Sequence, residues 1–223
     1  MNGRAADSHA AELRGFGPWG LVAMAIVVGG ALLGGWAGGA LVLLWAYRSR
    51  TPWREIGLAR PRSWFLTALA GLLVGGVFKL FGKSVLSPLM GVAPVNQTYH
   101  YLVGNTAALP GIVFFILVSA ALGEEIFYRG YLFERLGKWW GKSVPAKLAT
   151  VVVTTILFGL AHLADQGRDG ALQAMITGLV FGTIYAATGR LWFVMFAHAG
   201  FDLTAVAIIY GNLETRVAHL FFR

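Results

Sequence analysis

Apolar residues run along this chain in long blocks separated by short polar connections, a pattern that predicts helices crossing a membrane. From Gly15 to Tyr47 no residue is charged, and those 33 residues are far longer than the apolar region of a cleaved signal peptide, so the run is expected to stay as a span. At about 1.5 Å per residue it exceeds a hydrocarbon core of roughly 30 Å, so the helix must tilt, project beyond the bilayer or break near its glycines. Further spans are predicted at about 63–80, 110–132, 146–163, 171–187 and 191–210, for about six transmembrane helices in one all-α bundle. Gly30, Gly34 and Gly38 are spaced by four, as are Gly35 and Gly39 and then Gly71 and Gly75, which makes smooth faces for close helix packing. Residues 1–16, with Arg4, Asp7, Glu12 and Arg14, read as a polar tail, and 17–215 as a single transmembrane helical domain.

Composition agrees with that pattern, since 57% hydrophobic and 13% charged residues is too apolar for a soluble globule of 223 residues. The net charge of +8 would raise the question of nucleic acid, but the basic residues cluster between apolar spans, where topology and anionic lipid explain them. No nucleic-acid partner is expected; the bilayer is. Five arginines fall within 48–62, and Arg135, Lys138, Lys142 and Lys147 within 133–147, whereas 84–109 carries no charged residue. Loops 48–62 and 133–147 are therefore assigned to the cytoplasmic side of a cell membrane. Six alternating spans would then put both termini outside, an assignment that Arg4 and Arg14 oppose at the N-terminus. The absence of cysteine excludes a catalytic thiol, thiolate metal sites and disulfides.

Of the ten acidic residues, only Glu124, Glu125 and Asp202 sit well inside apolar spans, and of the five histidines only His162 and His198. An ionisable side chain at mid-bilayer costs roughly 3 kcal/mol on insertion scales, so such residues face a polar interior and act there. On a helix, Arg129 follows Glu125 by four and shares its face, while Glu124 points about 100° away and needs partners from other helices. Phe158 and His162 are also spaced by four, as are His198 and Asp202, so three helices can converge on one site, about two turns from the cytoplasmic ends at Glu124 and His198 and deeper at His162. Glu124, His162, His198 and Asp202 could bind a divalent metal such as zinc, or run acid/base chemistry with no cofactor, Glu124 drawing a proton from water.

Glu124-Glu125-x-x-x-Arg129, then Phe158-x-x-x-His162, then His198-x-x-x-Asp202, in that order on three late spans, resembles the CPBP (Abi) family of intramembrane proteases, which includes the CAAX prenyl endopeptidases. The resemblance covers about Ala120 to Tyr210. It implies a peptidase in which Glu124 activates water with help from His162, His198 and Asp202 steady the oxyanion, and Glu125, Arg129 and Phe158 support them, with a catalytic core at about 110–210. The enzymes that cleave CAAX proteins usually carry asparagine where this chain has Asp202, and an ionised aspartate cannot donate to an oxyanion. Asp202 is then protonated, orients His198, or helps to hold a metal. There is no His-Glu-x-x-His or Gly-x-Gly-Asp, and Ser119 lacks a Gly-x-Ser-Gly setting. The expectation is an intramembrane peptidase acting on a protein or peptide substrate near the cytoplasmic leaflet; the alternative is a non-enzymatic proton-coupled carrier or immunity-type binding protein.

Overall fold

The computed structural model describes residues 2–222, with side chains from Asp7 onward, so the reading of Arg4 lies outside the described side chains. All described regular structure is helical. The elements are α1 (Asn2–Arg14), α2 (Pro18–Leu32), α3 (Gly35–Arg48), α4 (Trp64–Leu89), α5 (Thr106–Trp140), α6 (Val144–Thr188), α7 (Leu191–Tyr210) and α8 (Glu214–Ala218). Four of them, α4 to α7, are long and apolar enough to cross a membrane, and a fifth candidate arises if Asp7–Arg14 and Pro18–Leu32, bent by 60°, make one span. The chain is a multi-pass helical membrane protein, and about six is an approximate count.

The start of the bundle departs from a single long span. The uncharged run 15–47 breaks at Gly34, whose φ of 135° strains any residue with a Cβ. Helices α2 and α3 fold back on each other there: a Cβ on Gly38 would lie 2.9 Å from Ala31 Cα. At 15 and 14 residues, each arm is about 22 Å long, short of the roughly 30 Å core. Residues 15–47 are thus a hairpin that enters and leaves on one face. The N-terminus therefore lies beside loop 48–62, not across from it: Arg14 pairs with Glu55 at 3.1 Å and Trp45 Nε1 donates to Leu13 O at 3.0 Å. A hairpin in place of one crossing therefore puts the N-terminus on the side of loop 48–62, opposite to the side that six alternating spans assign it. The polar residues of the N-terminal segment are helical, and Ala10 is buried.

A second hairpin joins the spans predicted at 146–163 and 171–187. Helix α6 starts on Ser143, whose Oγ accepts from Ala146 N at 3.4 Å, with Pro145 in the first turn. Its 45 residues are interrupted at Gly167 (φ 65°, ψ −166°). Contacts then step symmetrically about that glycine, Lys147 Nζ donating to Ala186 O at 3.4 Å, Gly182 lying on Val151, Gly178 on Thr155 and Gly159 on Met175. The two arms are antiparallel, as the spans predicted at 146–163 and 171–187 require.

The spaced glycines Gly35, Gly39, Gly71 and Gly75 pack within this chain. A Cβ on Gly75 would meet the Ala197 backbone carbon at 2.7 Å and one on Gly200 would meet Leu72 Cα at 2.8 Å, so α4 and α7 touch backbone to backbone. Gly71 lies on Phe193, Gly75 on Ala197 and Gly76 on Thr204, so the contacts advance in the same direction along both helices and α4 and α7 are parallel. Helix α5 lies against α3, where a Cβ on Gly39 would be 2.7 Å from Gly123 Cα. The core between them holds Val42, Phe181, Val194 and Ala197, all fully buried. Every Lys- or Arg-rich connection (48–62, 133–147, and Arg190) then falls on one face. The loop 90–105 falls on the other, pinned there by Gly104 N donating to Tyr210 O at 3.0 Å and Asn96 N to Glu214 Oε1 at 2.9 Å.

Candidate active site

Helix α5 carries the two glutamates on a stretch with wide, π-type turns from Ile116 to Leu132, a local geometry frequent at functional sites. Its backbone is held by α3: Trp36 N donates to Ser119 Oγ at 3.3 Å, and a Cβ on Gly35 would stand 2.7 Å from Glu124 Cγ. No side chain other than hydrogen fits at Gly35 without moving that carboxylate. Gly35→Ala should therefore displace Glu124 and, at a cost of up to about 10²-fold for a 1 Å misplacement, lower turnover while binding changes less; kcat and KM measured side by side test this.

Glu125 is fully buried, and so is Arg129 one helical turn later. Arg129 Nη1 donates to Glu125 Oε1 at 2.8 Å, Nη2 lies 3.5 Å from Gly178 O, and the guanidinium sits 4.6 Å from the Phe158 ring centroid. This matches the pairing that the i, i+4 spacing predicts. The same Glu125 Oε1 also meets His198 Nδ1 at 2.8 Å, a contact from α7 that spacing within a helix cannot reveal. A carboxylate held by a guanidinium only accepts, so His198 donates through Nδ1. His198 Nε2 stands 3.4 Å from Asp202 Oδ2, one turn on. The buried chain thus runs Arg129, Glu125, His198, Asp202, joining α5 to α7.

His162 is fixed from its own helix. Its Nδ1 lies 2.8 Å from Phe158 O, and a backbone carbonyl only accepts, so Nδ1 carries the hydrogen and neutral Nε2 presents a lone pair. The ring lies 4.5 Å from the Phe158 ring, which is also 6.2 Å from that of His198. Phe158 therefore spaces the two histidines and covers Arg129.

Glu124 has no hydrogen-bond partner for its buried Oε2 among the described residues. It opens instead into a cavity of about 980 Å³, whose wall it shares with His162, His198 and Asp202. All four residues singled out from the sequence meet at one void. Glu125 and Arg129 stand behind it, and Phe158 forms part of its wall.

Two other wall residues escape sequence reasoning. Lys79 is buried, donates to Gln173 Oε1 at 2.8 Å, and sits 4.7 Å from the Phe201 ring centroid. A signal existed, since Gly71, Gly75 and Lys79 share the i, i+4 face that packs on α7, but next to Lys83 it reads as the end of a span. Tyr99, from the loop over the cavity, accepts from Gln166 Nε2 at 3.3 Å. Burial, with Asp202 and Glu124 nearby, pushes its phenol up to about 12, so Tyr99 keeps its proton at any working pH and can donate into the cavity. Nothing in the local sequence marks Tyr99.

The metal reading of Glu124, His162, His198 and Asp202 does not fit this arrangement. Among the described residues no three His, Asp or Glu side chains are placed to hold an ion together. Both ring nitrogens of His198 face carboxylates of its own network, and His162 Nδ1 is committed to Phe158 O. That leaves His162 Nε2, Glu124 and one oxygen of Asp202 as uncommitted groups, which are not placed close enough together to supply the three protein ligands usual for catalytic zinc.

Comparison with known proteins agrees with the order of the motifs. No curated protein and no solved structure matches the chain. Residues 106–204 match the family described as Type II CAAX prenyl endopeptidase Rce1-like. That stretch contains all three motifs, from Glu124 to Asp202, and its similarity to the Rce1-like family is consistent with the CPBP group of membrane proteases that the motifs resemble.

Proposed function

We propose that the protein is an intramembrane endopeptidase in which Glu124 is the general base. The observation that carries this reading is the buried Glu124 Oε2, left without a protein partner at the wall of a cavity that it shares with two histidines. A buried carboxylate oxygen with no partner is costly, and a bound water satisfies it.

In the proposed reaction, a water in the cavity donates one hydrogen toward Glu124 and the other toward His162 Nε2. Glu124 takes the proton as the water oxygen bonds to the scissile carbonyl carbon, and the carbonyl π electrons move onto oxygen. The Tyr99 phenol is a donor available to that oxyanion, and protonated His198, held by Glu125 through Nδ1, shares its Nε2 hydrogen between Asp202 and the oxyanion. When the tetrahedral intermediate collapses, the C–N bond breaks and the proton on Glu124 passes to the departing amine. The products are a carboxylic acid and an amine, with no oxidant or cofactor required. Asp202 acts in this scheme by orienting His198, the role its 3.4 Å separation from Nε2 supports. Arg129 holds Glu125 and takes no proton.

The deciding experiment compares new peptide termini in membranes from cells expressing wild type with those expressing Glu124→Gln at equal levels. Termini that appear with wild type alone establish proteolysis and identify the substrate. Equal termini from two folded, abundant proteins would overturn the peptidase reading and favour a carrier or a binding protein. Because the residues do not fit a metal, cleavage by purified protein should persist in excess EDTA or 1,10-phenanthroline, with elemental analysis giving well under one metal per chain.

A further inference from the structure

We infer that the cavity takes its substrate from the membrane face opposite the arginine-rich loops, so that the substrate class is a membrane-anchored polypeptide presented on the non-cytoplasmic side. This rests on the peptidase reading above and adds to it the side and the leaflet.

Orientation comes from charge. Loops 48–62 and 133–147, Arg190 and Arg14 lie on one face of the bundle, and both hairpins keep them there. On the other face, 84–109 has no charged residue, and the turn 165–169 carries Asp165 and Asp169 against Arg168. Basic residues in short loops set orientation, so the arginine-rich face is cytoplasmic.

The cavity belongs to the opposite face. The exposed polar residues that line it are Gln97, Thr98, Asp165 and Asp169, and no residue of 48–62, 133–147 or 188–190 lines it. Depth agrees: His162 is 18 residues into α6 from Val144, about 27 Å from the basic face, and Lys79 is 15 residues into α4, about 22 Å. His198 lies nearer the basic face, 7 residues into α7 from Leu191 or about 10 Å, so the cavity reaches down to that level from a mouth on the far face. Catalysis near the cytoplasmic leaflet, expected from counting turns at Glu124 and His198 alone, does not agree with where the cavity opens.

The short first hairpin adds a side entrance. Helix α2 stops about 22 Å into the bilayer, and its tip residues Leu32 and Leu33 are 84% and 79% exposed while lining the cavity. Beyond that tip, toward the far face, the wall is open to the acyl chains of the non-cytoplasmic leaflet. A substrate anchored in that leaflet can reach Glu124 without leaving the membrane. A C-terminal tail held at the cytoplasmic surface would have to cross most of the bilayer.

The chain has no cysteine, so single reporters can be placed without further change. Gln97→Cys and Asp165→Cys mark the rim, Gln173→Cys the cavity wall, and Arg60→Cys and Lys142→Cys the basic face. Right-side-out membrane vesicles would be treated with a membrane-impermeant maleimide, each variant first being shown to elute from detergent as wild type does. The expected result is near-complete labelling at 97 and 165, slower labelling at 173, and at least tenfold less at 60 and 142 until the vesicles are permeabilised. The reverse pattern, equal labelling of both faces, or a Gln173→Cys labelled only after permeabilisation or from neither side would overturn the inference. Labelling requires no turnover. A negative comparison of termini with the expected labelling therefore sinks the peptidase reading alone, and wild-type-dependent termini with reversed labelling sink the sidedness alone.

Discussion

Arg129→Met should destabilise the folded protein by about 3–5 kcal/mol, the cost of leaving a buried carboxylate without its partner. Arg129 and Glu125 are 1% and 0% exposed, and their 2.8 Å contact is the only charged contact from an arginine that Glu125 has among the described residues. Glu125 Oε2 already lacks a hydrogen bond, so water gives no ready compensation. Unfolding of detergent-solubilised protein, followed by circular dichroism against denaturant, measures the loss. The double change Glu125→Gln with Arg129→Met should recover part of it, because the uncompensated charge is then gone. If Arg129→Met unfolds like wild type, the pair is not a structural anchor. The same variant separates anchoring from chemistry, since activity should fall in proportion to the folded fraction and to loss of His198 orientation through Glu125.

Glu124→Gln and His162→Ala should each lower kcat by about 10²–10⁴, the usual contribution of a positioned general base and its helper. Their effects should not add. In the proposed scheme both residues hold one water, so removing either deprives that water of its geometry, and the double variant should be little slower than the worse single one. Substrate binding should survive in all three, because the rest of the wall of about 980 Å³ is intact. Turnover of purified proteins on one substrate, with binding measured separately, tests the cycle. Full additivity would mean that the two residues act in different steps, and an active Glu124→Gln would remove the base assignment altogether.

Hydropathy and spacing alone determine much of this protein. The apolar blocks imply a multi-pass helical bundle, because no other fold satisfies backbone hydrogen bonds across lipid for segments of that length. Within-helix spacing also predicts the Glu125–Arg129 pair, the proximity of His198 to Asp202, and Phe158 beneath His162, since residues four apart necessarily share a face. The order of the three motifs pointed to the protease family that residues 106–204 match.

Only the tertiary structure decided the rest, because it depends on residues far apart in the chain. That His198 binds Glu125 and not Glu124 follows from the docking of α7 on α5, across 73 residues. The cavity exists because α4, α5, α6, α7, the tip of the first hairpin and the loop with Tyr99 close around it, and no local pattern states how six segments meet. Lys79 became a wall residue through the tight contact of α4 with α7. The break at Gly34 is the clearest case: hydropathy sees one uncharged run from Gly15 to Tyr47, while folding back is selected by the packing of Gly30 and Gly38 on the opposite arm and of Gly35 and Gly39 on α5. Periodicity along a helix is a property of the chain, whereas the partner that each face meets is a property of the assembled bundle.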